Sequence, residues 1–333
     1  MTIPDKASIS EKTEALFQSQ RNDWAMLAQN YDGLDNAVYK EIAFDGFPMQ
    51  LQYNPGRVLS STAKTDAASI KARPCFLCSR NLPDVQRAVD YFRDYTILVN
   101  PFPIFGKHLT IACTQHTPQR IDGRIKDMLR MAVDLQDYVI LYNGPQSGAS
   151  APDHLHFQAG IKNTLPIEND IHSFPGKKIL KEESCGTIFT IEQYVRKTIV
   201  FQSDNIEWLA DRFKSLLNSI EKLTNPLETQ PQPSETPYPN CQLSEPMMNL
   251  IAIYEDNRWM LIIFPRIAHR PSLFYEKGDR QILFSPGTVD FGGLLILPRK
   301  EDFDKLNREL IEKMFEELTW NDSLWEKLLQ KNK

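Results

Sequence analysis

Polar and apolar residues alternate through the segment 150–160, in which His154, His156 and Gln158 fall at every second position. Side chains alternate between the two faces of a β-strand, so an extended segment would place these three polar groups on one face. The two apolar residues between them would then point into the core behind the sheet. A helix would scatter the same residues, and the spacing therefore predicts a strand that presents a polar site.

Comparable patterns predict strands and helices along the rest of the chain. Alternating or β-branched runs predict strands near 40–44, 49–53, 95–99, 108–113, 139–142, 187–189, 198–201, 247–254, 259–264, 281–284 and 293–298. Apolar residues at helical spacing predict helices over 8–30, 122–137, 207–223 and 301–318. Asp45-Gly46 and the segment 255–258 are typical of hairpin turns. We therefore expect an α+β fold with a mainly antiparallel sheet and flanking helices.

An internal repetition predicts that this fold has two pseudo-symmetric halves. The segment 99–112 recurs in outline at 284–297, and each copy runs strand, turn, glycine, strand, helix. Only the first copy is followed by a His-x-His motif, so we expect one active site per chain. The expected divisions are an N-terminal helical segment (1–38), a first half (39–165) with the zinc site and catalytic histidine, and a second half (166–333) with a proline-rich loop (224–239).

Composition and charge exclude several functional classes. The 333 residues carry a net charge of −5, which provides no basic surface for nucleic acid or an anionic membrane. No apolar run approaches the roughly 20 residues of a membrane-spanning helix, and the N-terminus lacks the pattern of a signal peptide. We therefore expect a cytoplasmic protein without nucleic-acid or membrane partners. Its five cysteines are then expected to be reduced thiols.

Cys75 and Cys78 form a Cys-x-x-Cys pair, which is typical of a zinc site or of a redox dithiol. The redox motif opens a helix, whereas a proline soon after the second cysteine interrupts one here. His116 and His154 would complete a Cys₂His₂ set, although a histidine such as His116, taken alone, is more often a surface residue. We interpret His108, on a predicted strand, as a satisfied core or surface histidine.

Two short polar segments could bind an anion. The turn from Asn54 to Arg57, followed by Ser60 and Ser61, could hold a phosphate or be an ordinary surface loop. The basic cluster at 265–271 contains Arg266, His269 and Arg270, and it could meet an anion or be a solvated strand end. The sequence leaves both alternatives open.

The motifs together resemble the histidine-triad superfamily. Within it they are similar to the transferase branch of galactose-1-phosphate uridylyltransferase, diadenosine tetraphosphate phosphorylase and GDP-L-galactose phosphorylase, which has glutamine where the hydrolases carry a third histidine. The similarity spans about residues 52–303, and it includes a second-half stretch at 285–303. The segment 154–159 looks most like the GDP-hexose phosphorylases. The motifs that carry the resemblance are Cys75-x-x-Cys78, His116, Gly148-Ala149-Ser150 and His154-x-His156-x-Gln158.

This resemblance implies catalytic roles for three residues. His156 would be the nucleophile that takes up a nucleoside monophosphate, Gln158 would hydrogen-bond the transferred phosphoryl oxygens, and Ser150 would contact the entering or leaving phosphate. A neutral imidazole suits the first role, because it is a competent nucleophile and a good leaving group from phosphorus near pH 7. Replacing the third histidine by glutamine removes a proton donor, which favours transfer over hydrolysis.

The resemblance also implies ligand sets. The family's zinc ligands match Cys75, Cys78, His116 and His154, and four protein ligands make the zinc structural because no position is left for water. The candidate substrate-binding residues are Asn54 and Arg57 in the turn, and Asn100 and Asn143, which match asparagines near the nucleotide. Two features depart from the family pattern. Asp153 stands between the proline and His154, and the uridylyltransferase's second, His-rich metal site has no counterpart.

We therefore expect a nucleotidyltransferase that cleaves an NDP-sugar, with a GDP-hexose favoured, or a dinucleoside polyphosphate. Phosphate or a sugar phosphate would accept the nucleotide from a covalent nucleotidyl-histidine, and the protein could be a homodimer. The alternatives are a histidine-triad hydrolase, which would not depend on phosphate, and a zinc-stabilised nucleotide-binding protein without turnover. A zinc-finger-like nucleic-acid binder is disfavoured by the negative net charge.

Overall fold

The structure is a computed structural model that describes residues 7–58, 62, 66–224 and 245–332. Ser60 and Ser61, Cys241, and the proline-rich loop 224–239 apart from its first residue lie outside this range. No helix in the described part of the chain has the length and apolar character needed to cross a membrane.

A ten-stranded sheet forms the centre of the fold. Its strand order is β3-β4-β5-β7-β6-β11-β12-β10-β9-β8, and every neighbouring pair is antiparallel. The strands are β3 (Ala88–Tyr91), β4 (Tyr95–Val99), β5 (His108–Cys113), β6 (Tyr138–Asn143), β7 (His156–Ile161), β8 (Lys177–Glu183), β9 (Gly186–Ile191), β10 (Ile199–Ser203), β11 (Met248–Glu255) and β12 (Arg258–Pro265). The mainly antiparallel α+β architecture predicted from the sequence is confirmed.

A smaller sheet covers part of one face. It contains the hairpin of β1 (Val38–Ala43) and β2 (Pro48–Tyr53), and β13 (Leu294–Leu297) pairs with β2 in parallel. Gly46 occupies the hairpin turn with a φ of +92°, a conformation that glycine adopts without strain.

The helices flank the large sheet. They are α1 (Ile9–Asp23), α2 (Ala25–Asp35), α3 (Ala67–Ala72), α4 (Ile125–Asp134), α5 (Ile167–Ser173), α6 (Ile206–Thr224), α7 (Thr288–Phe291), α8 (Lys300–Lys305), α9 (Arg308–Leu318) and α10 (Asp322–Gln330). Two of the predicted helices are each divided in two. The chain bends at Trp24, whose buried ring joins the core, and again at Asn307, whose side chain caps α9 by accepting from the Leu310 N–H.

The sheet separates two hydrophobic cores. α1, α2, α4, α6 and α10 pack on one face, and the small sheet with α5 and α7–α9 packs on the other. Leu155 and Phe157 lie in the first core, as the alternation predicted. His156 and Gln158 therefore face the opposite side, towards the small sheet and α7.

The predicted strand at 281–284 is absent. The backbone N–H of Ile282 donates to the carbonyl of Leu273, and that of Leu283 donates to the buried carboxylate of Asp302. A loop and a side chain thus take the place of a partner strand.

The two ends of the large sheet come from different parts of the chain. β3–β7 all precede residue 165 and β8–β12 all follow it, and the two sets meet where β6 pairs with β11. The sheet is continuous across this pair. The domain boundaries at residues 38 and 165 stay a prediction.

Candidate active site and metal centre

Two turns bring four candidate metal ligands together. The Cys78 N–H donates to the Cys75 carbonyl and closes the Cys-x-x-Cys turn, and the His154 N–H donates to the Ala151 carbonyl. The loop after β5 supplies His116. The ligand atoms of the two cysteines and two histidines all lie within 4.8 Å of one another. The structure thus brings all four predicted ligands to one place.

The spacing of these atoms fits a tetrahedral metal ion. The two histidine Nδ1 atoms are 3.3 Å apart, and the Sγ–Nδ1 distances are 3.2 Å from Cys75 to His154, 3.3 Å from Cys78 to His116 and 3.6 Å from Cys78 to His154. A tetrahedron with ordinary zinc–sulfur and zinc–nitrogen bonds has edges of about 3.3–3.8 Å. The donor set suits zinc, and these four of the six ligand–ligand distances are close to the edges of such a tetrahedron.

Hydrogen bonds around the cluster fix the ring of His154. Its Nε2–H donates to the Cys113 carbonyl at 2.7 Å, so Nδ1 keeps its lone pair for a metal. Arg73 pairs with Asp153 at 2.9 Å and holds the bend that carries His154. Asp153, which departs from the family pattern in the sequence, therefore supports the turn that carries the candidate metal ligand His154.

The strand that carries His156 and Gln158 begins later than predicted. β7 begins at His156, and His154 lies in the preceding bend, so the expectation that three polar groups share one strand face is wrong for His154. The turn from Ala151 to His154 rotates that side chain towards the cysteines. His156 and Gln158 share a face as predicted.

The ring of His156 is buried, and one of its nitrogens has a fixed role. Nδ1–H donates to the His154 carbonyl at 2.8 Å, which leaves the lone pair on Nε2. Burial, together with the neighbouring His154, lowers the pKa of His156 to about 4, although the bond to the His154 carbonyl opposes this shift. The imidazole is therefore neutral at pH 7 and has the form that a nucleophile requires.

Gln119, which the sequence analysis did not identify, holds the backbone of His156. Its Oε1 accepts from the His156 N–H at 2.8 Å, and its Nε2 donates to the carbonyls of His156 and Asn143 at 3.0 and 2.8 Å. The buried amide thus bridges β6 and β7 where their regular pairing has ended. No local signal could have revealed it, because its partners lie 24 and 37 residues away.

His108 orients the amide of Gln158. Its Nδ1 accepts from the Ile104 N–H at 3.2 Å, so Nε2 carries the proton and donates to Gln158 Oε1 at 3.1 Å. Burial and the nearby Arg57 lower the pKa of His108 to about 3, which keeps the ring neutral. The NH₂ group of Gln158 is then the part of the amide left for a ligand. His108 is the satisfied core histidine that we expected, and it also positions a site residue.

A pocket of about 70 Å³ adjoins Gln158 and is lined by both halves of the chain. The first half contributes Arg57, Ser150 and Gln158. The second half contributes His269, Arg270 and Ser285. His156 lies two residues before Gln158 on the same strand face, about 6–7 Å along the strand. The structure therefore brings Arg57, Ser150 and Gln158 to one pocket, whereas the buried His156 lies beside it on the same strand and does not line it.

A close approach of two loops joins the halves at this pocket. Gly148 has a φ of +97°, and a Cβ atom there would lie 2.7 Å from the Cα of Gly287. Only glycine allows the loop before Ser150 to meet the loop that follows Ser285.

The predicted asparagines have structural partners. Asn143 lines the pocket, but its Oδ1 accepts from the Thr288 N–H, the Thr288 hydroxyl and the Asn249 amide. Asn100 donates to the Thr110 hydroxyl and accepts from the Phe102 N–H. Asn54 donates to the Pro103 carbonyl and to a neighbouring glutamine. Asn54 and Asn100 do not line the pocket, and contacts of all three with substrate stay a prediction.

The basic cluster at 265–271 divides into two parts. Arg266 is buried and donates to Asn249 Oδ1, to the Pro286 carbonyl and to the carbonyls of Ala268 and His269. It fixes the loops around the pocket. His269 and Arg270 lie in the pocket itself.

Comparison with known proteins gives stronger support for the fold than for a relationship to any family at the level of sequence. A family described as "Domain of unknown function (DUF4922)" matches residues 16–161, a span that contains every predicted site residue. No curated protein matches the sequence.

The solved structures of the yeast Ap4A phosphorylase Apa2 are similar to this chain over nearly its whole length. The TM-score is 0.62 at 15% sequence identity, and the match covers 96% of each chain. The same enzyme with bound Ap4A gives a TM-score of 0.60 at 14% identity over 92% of this chain and 97% of the other. Its complex with AMP gives 0.57 at 15% identity over 92% and 96%. This likeness shows that the chain shares its fold with yeast Ap4A phosphorylase.

Proposed function

We propose that the protein is a nucleotidyltransferase that moves a nucleoside monophosphate from an NDP-sugar or a dinucleoside polyphosphate to a phosphate acceptor through His156. The observation that carries the proposal is the fixed tautomer of this residue. Nδ1 is committed to the His154 carbonyl, so Nε2 is the atom with an available lone pair. The fold shared with a phosphorylase that binds AMP and Ap4A supports the same class of reaction.

The first chemical step forms a phosphorus–nitrogen bond. Nε2 of His156 attacks the α-phosphorus of the donor, the bond from this phosphorus to the bridging oxygen breaks, and the departing phosphate takes the electron pair. The Gln158 NH₂ group, oriented by His108, donates to the oxygens of the transferred group. Such transfers depend mainly on positioning and charge stabilisation, which these neutral donors can provide.

The second step reverses the first with another acceptor. An oxygen of inorganic phosphate or of a sugar phosphate attacks the α-phosphorus, and the bond to Nε2 breaks. The electron pair returns to the imidazole, and the His154 carbonyl still accepts from Nδ1–H throughout. The positive charge that the ring carries in the intermediate is stabilised by this carbonyl.

Cys75, Cys78, His116 and His154 would hold a zinc ion with a structural role. The ion would fix the bend that presents the His154 carbonyl, because His154 supplies both a ligand nitrogen and the acceptor for His156. Four protein ligands leave no position for a reacting water.

The proposal predicts a covalent intermediate. Incubation of the full-length protein with GDP-, UDP- and ADP-sugars and with dinucleoside polyphosphates, in the absence of phosphate, should add the mass of one nucleoside monophosphate. His156→Ala should abolish the adduct, whereas His172→Ala should not, since His172 is a half-exposed histidine near Glu255. Intact-mass spectrometry measures both results, and the donors that react identify the base.

Two outcomes would favour the alternatives. Nucleotide binding without any adduct on His156 would contradict covalent transfer and support a binding protein. Turnover at the same rate with and without inorganic phosphate would support a hydrolase. Reaction with a GDP-hexose would indicate that the motif similarity is the better guide to the substrate. Reaction with Ap4A would indicate that the shared fold is the better guide.

A further inference from the structure

We infer that Gln119 is the residue that positions His156 for attack on the donor phosphorus. The inference rests on the proposed function, because it assigns a role within the step that joins Nε2 of His156 to phosphorus. Gln119 is buried and does not line the pocket, so it acts through the backbone of His156 and not on the substrate.

The pairing of β6 with β7 ends before it reaches His156. The last paired residues of this register are Leu141 and Gln158, and one further step along both strands would bring Asn143 opposite His156. The Gln119 amide lies between the strands at that step. Its Nε2 donates to the carbonyls of Asn143 and His156 at 2.8 and 3.0 Å, and its Oε1 accepts from the His156 N–H at 2.8 Å. A side-chain amide therefore does at this position what the partner strand does along the rest of β7.

His156 needs this support because it stands at the end of a strand. It is the first residue of β7, and its pairing with Ala112 is the last in the register of β5 with β7. The ends of strands are where backbone pairing opens most easily. Pairing with β5 holds one edge of the strand at this end, and the amide of Gln119 holds the other.

The bonds from Gln119 fix the backbone dihedral angles of His156. The N–H and the carbonyl of one residue belong to the two planar peptide groups on either side of its Cα atom, so holding both groups fixes φ and ψ. The bond from Nδ1–H to the His154 carbonyl then fixes the imidazole ring. The Nε2 atom therefore points in one direction, which an in-line attack on phosphorus requires.

The segment that carries Gln119 is itself fixed. The Gln119 N–H donates to the Pro152 carbonyl at 3.1 Å. Two residues later, the Ile121 N–H donates at 2.6 Å to the buried carboxyl group of Glu245, from the second half of the chain. The side chain of Gln119 is only 1% exposed, so solvent does not compete for its hydrogen bonds. The amide is thus held in one orientation by both halves of the chain.

The test compares Gln119→Met with Gln20→Met, a matched control at a second buried amide. Gln20 Nε2 donates to the Val85 carbonyl and its Oε1 accepts from the Arg87 N–H, both at 3.0 Å. This amide supports the segment before β3, which lies three strands from β7 in the sheet. Each substitution removes a buried amide that bridges backbone groups and keeps a side chain of similar length. Both should lower the thermal midpoint, but only Gln119→Met should displace the nucleophile.

Adduct formation by each full-length protein is followed by intact mass at increasing concentrations of the donor that labels the wild type, at a temperature where every variant is folded. Gln119→Met should lower the rate at saturating donor about 10²-fold, because a displacement of about 1 Å at the reacting atoms costs this much. The half-saturating donor concentration should stay near the wild-type value, since Gln119 does not line the pocket. Gln20→Met should match the wild type in both quantities.

Three results would overturn the inference. One is an unchanged rate at saturating donor in Gln119→Met, and another is an equal loss of rate in Gln20→Met, which would show a general effect of stability. The third is a loss confined to the half-saturating donor concentration, which would show that Gln119 affects binding and not the position of the nucleophile.

If Gln119→Met does not fold, Gln119→Asn decides in the same assay, with Gln20→Asn as its control. Asparagine keeps a polar amide in the buried site but is one methylene too short to reach all three partners. Slow transfer is again expected, and a wild-type rate overturns the inference. Absence of any adduct in the wild type counts against the proposed function, whereas normal adduct formation in the Gln119 variants counts only against the role of Gln119.

Discussion

Two side chains of the candidate site each have one polar atom engaged in a hydrogen bond, so that a particular other atom is left for a ligand. His156 shows this with its Nδ1–H, and Gln158 shows it with its Oε1. In both cases a buried hydrogen bond selects the orientation before substrate arrives. Preorganised donors of this kind need no rearrangement during the reaction.

His108→Phe should slow adduct formation because it removes the donor to Gln158 Oε1. The amide can then turn its oxygen towards the phosphoryl group, where it repels negative charge. Loss of one such oriented donor typically costs about 10²–10³ in rate. Single-turnover mass spectrometry with the best donor measures the effect.

Zinc content and the thermal midpoint of His108→Phe provide its controls. The zinc content should stay near the wild-type value. The thermal midpoint should fall by only a few degrees, because the buried Ile104 N–H loses its acceptor while Phe still fills the position beside Phe105. His172→Phe, at an exposed site, should leave the rate unchanged. A normal rate in His108→Phe would show that Gln158 does not depend on this histidine.

At the scale of elements, the turn that carries His154 and the strand that carries His156 are consecutive. The bend that ends in His154 leads directly into β7, so a metal ion bound by His154 would influence how the strand begins. Loss of order in this bend should therefore affect the position of His156, although none of the four candidate metal ligands is proposed to form a bond with the substrate.

Cys75→Ser should lower the zinc content well below one ion per chain and reduce the thermal midpoint by several degrees, since a structural metal stabilises the fold that binds it. Adduct formation should fall with it. Elemental analysis by mass spectrometry and thermal unfolding measure the two effects. Cys185→Ser, at an exposed cysteine, is the control and should change neither. Full metal content in Cys75→Ser would contradict the assigned ligand set.

At the scale of the whole molecule, Glu245 links the two halves through a buried carboxyl group. Its oxygens accept from the Tyr142 hydroxyl and from the Ile121 N–H, both at 2.6 Å. Burial raises the pKa of Glu245 to about 7, although these hydrogen bonds oppose the shift. The protonated form is favoured by folding, so its stabilising contribution is present below about pH 4.5 and is lost as the pH rises through about 7.

Glu245→Gln should therefore make stability less dependent on pH. Between about pH 5 and pH 8 the wild type should lose on the order of 1–3 kcal/mol relative to this variant, because only the carboxyl group ionises. Urea unfolding at the two pH values gives the difference. Glu255→Gln, at a half-exposed carboxylate, should retain the wild-type slope. Parallel slopes for wild type and Glu245→Gln would contradict the link.

The parts of the site that the sequence could predict are those carried by local spacing. Cys75 and Cys78 share one turn, and His156 and Gln158 share one strand face, so their proximity follows from backbone geometry alone. The residues that support them could not be predicted in this way. Gln119 and His108 reach their partners across 37 and 50 residues, and their amide and imidazole groups look like those of any polar core position.

The same limit applies to the fold. Alternation and hairpin turns predicted the large sheet, because antiparallel neighbours are mostly close in sequence. The sequence could not show that Arg266 is buried whereas Arg270 lines the pocket, because the two arginines carry the same charge in one short segment. The bends at Trp24 and Asn307 depend on tertiary packing and capping that a helical repeat does not reveal.

The pairing of β6 with β11 has a consequence for synthesis on the ribosome. Gln158 leaves the ribosome about 130 residues before the loop at 285–290 that completes the pocket, and at about 5–20 residues per second this delay is roughly 7–26 s. Until β11 (Met248–Glu255) has left the ribosome, β6 is an open sheet edge that lacks its partner. The nascent chain therefore contains His156 and Gln158 before it can complete the pocket, and a translational pause before β11 emerges would prolong its exposure to aggregation.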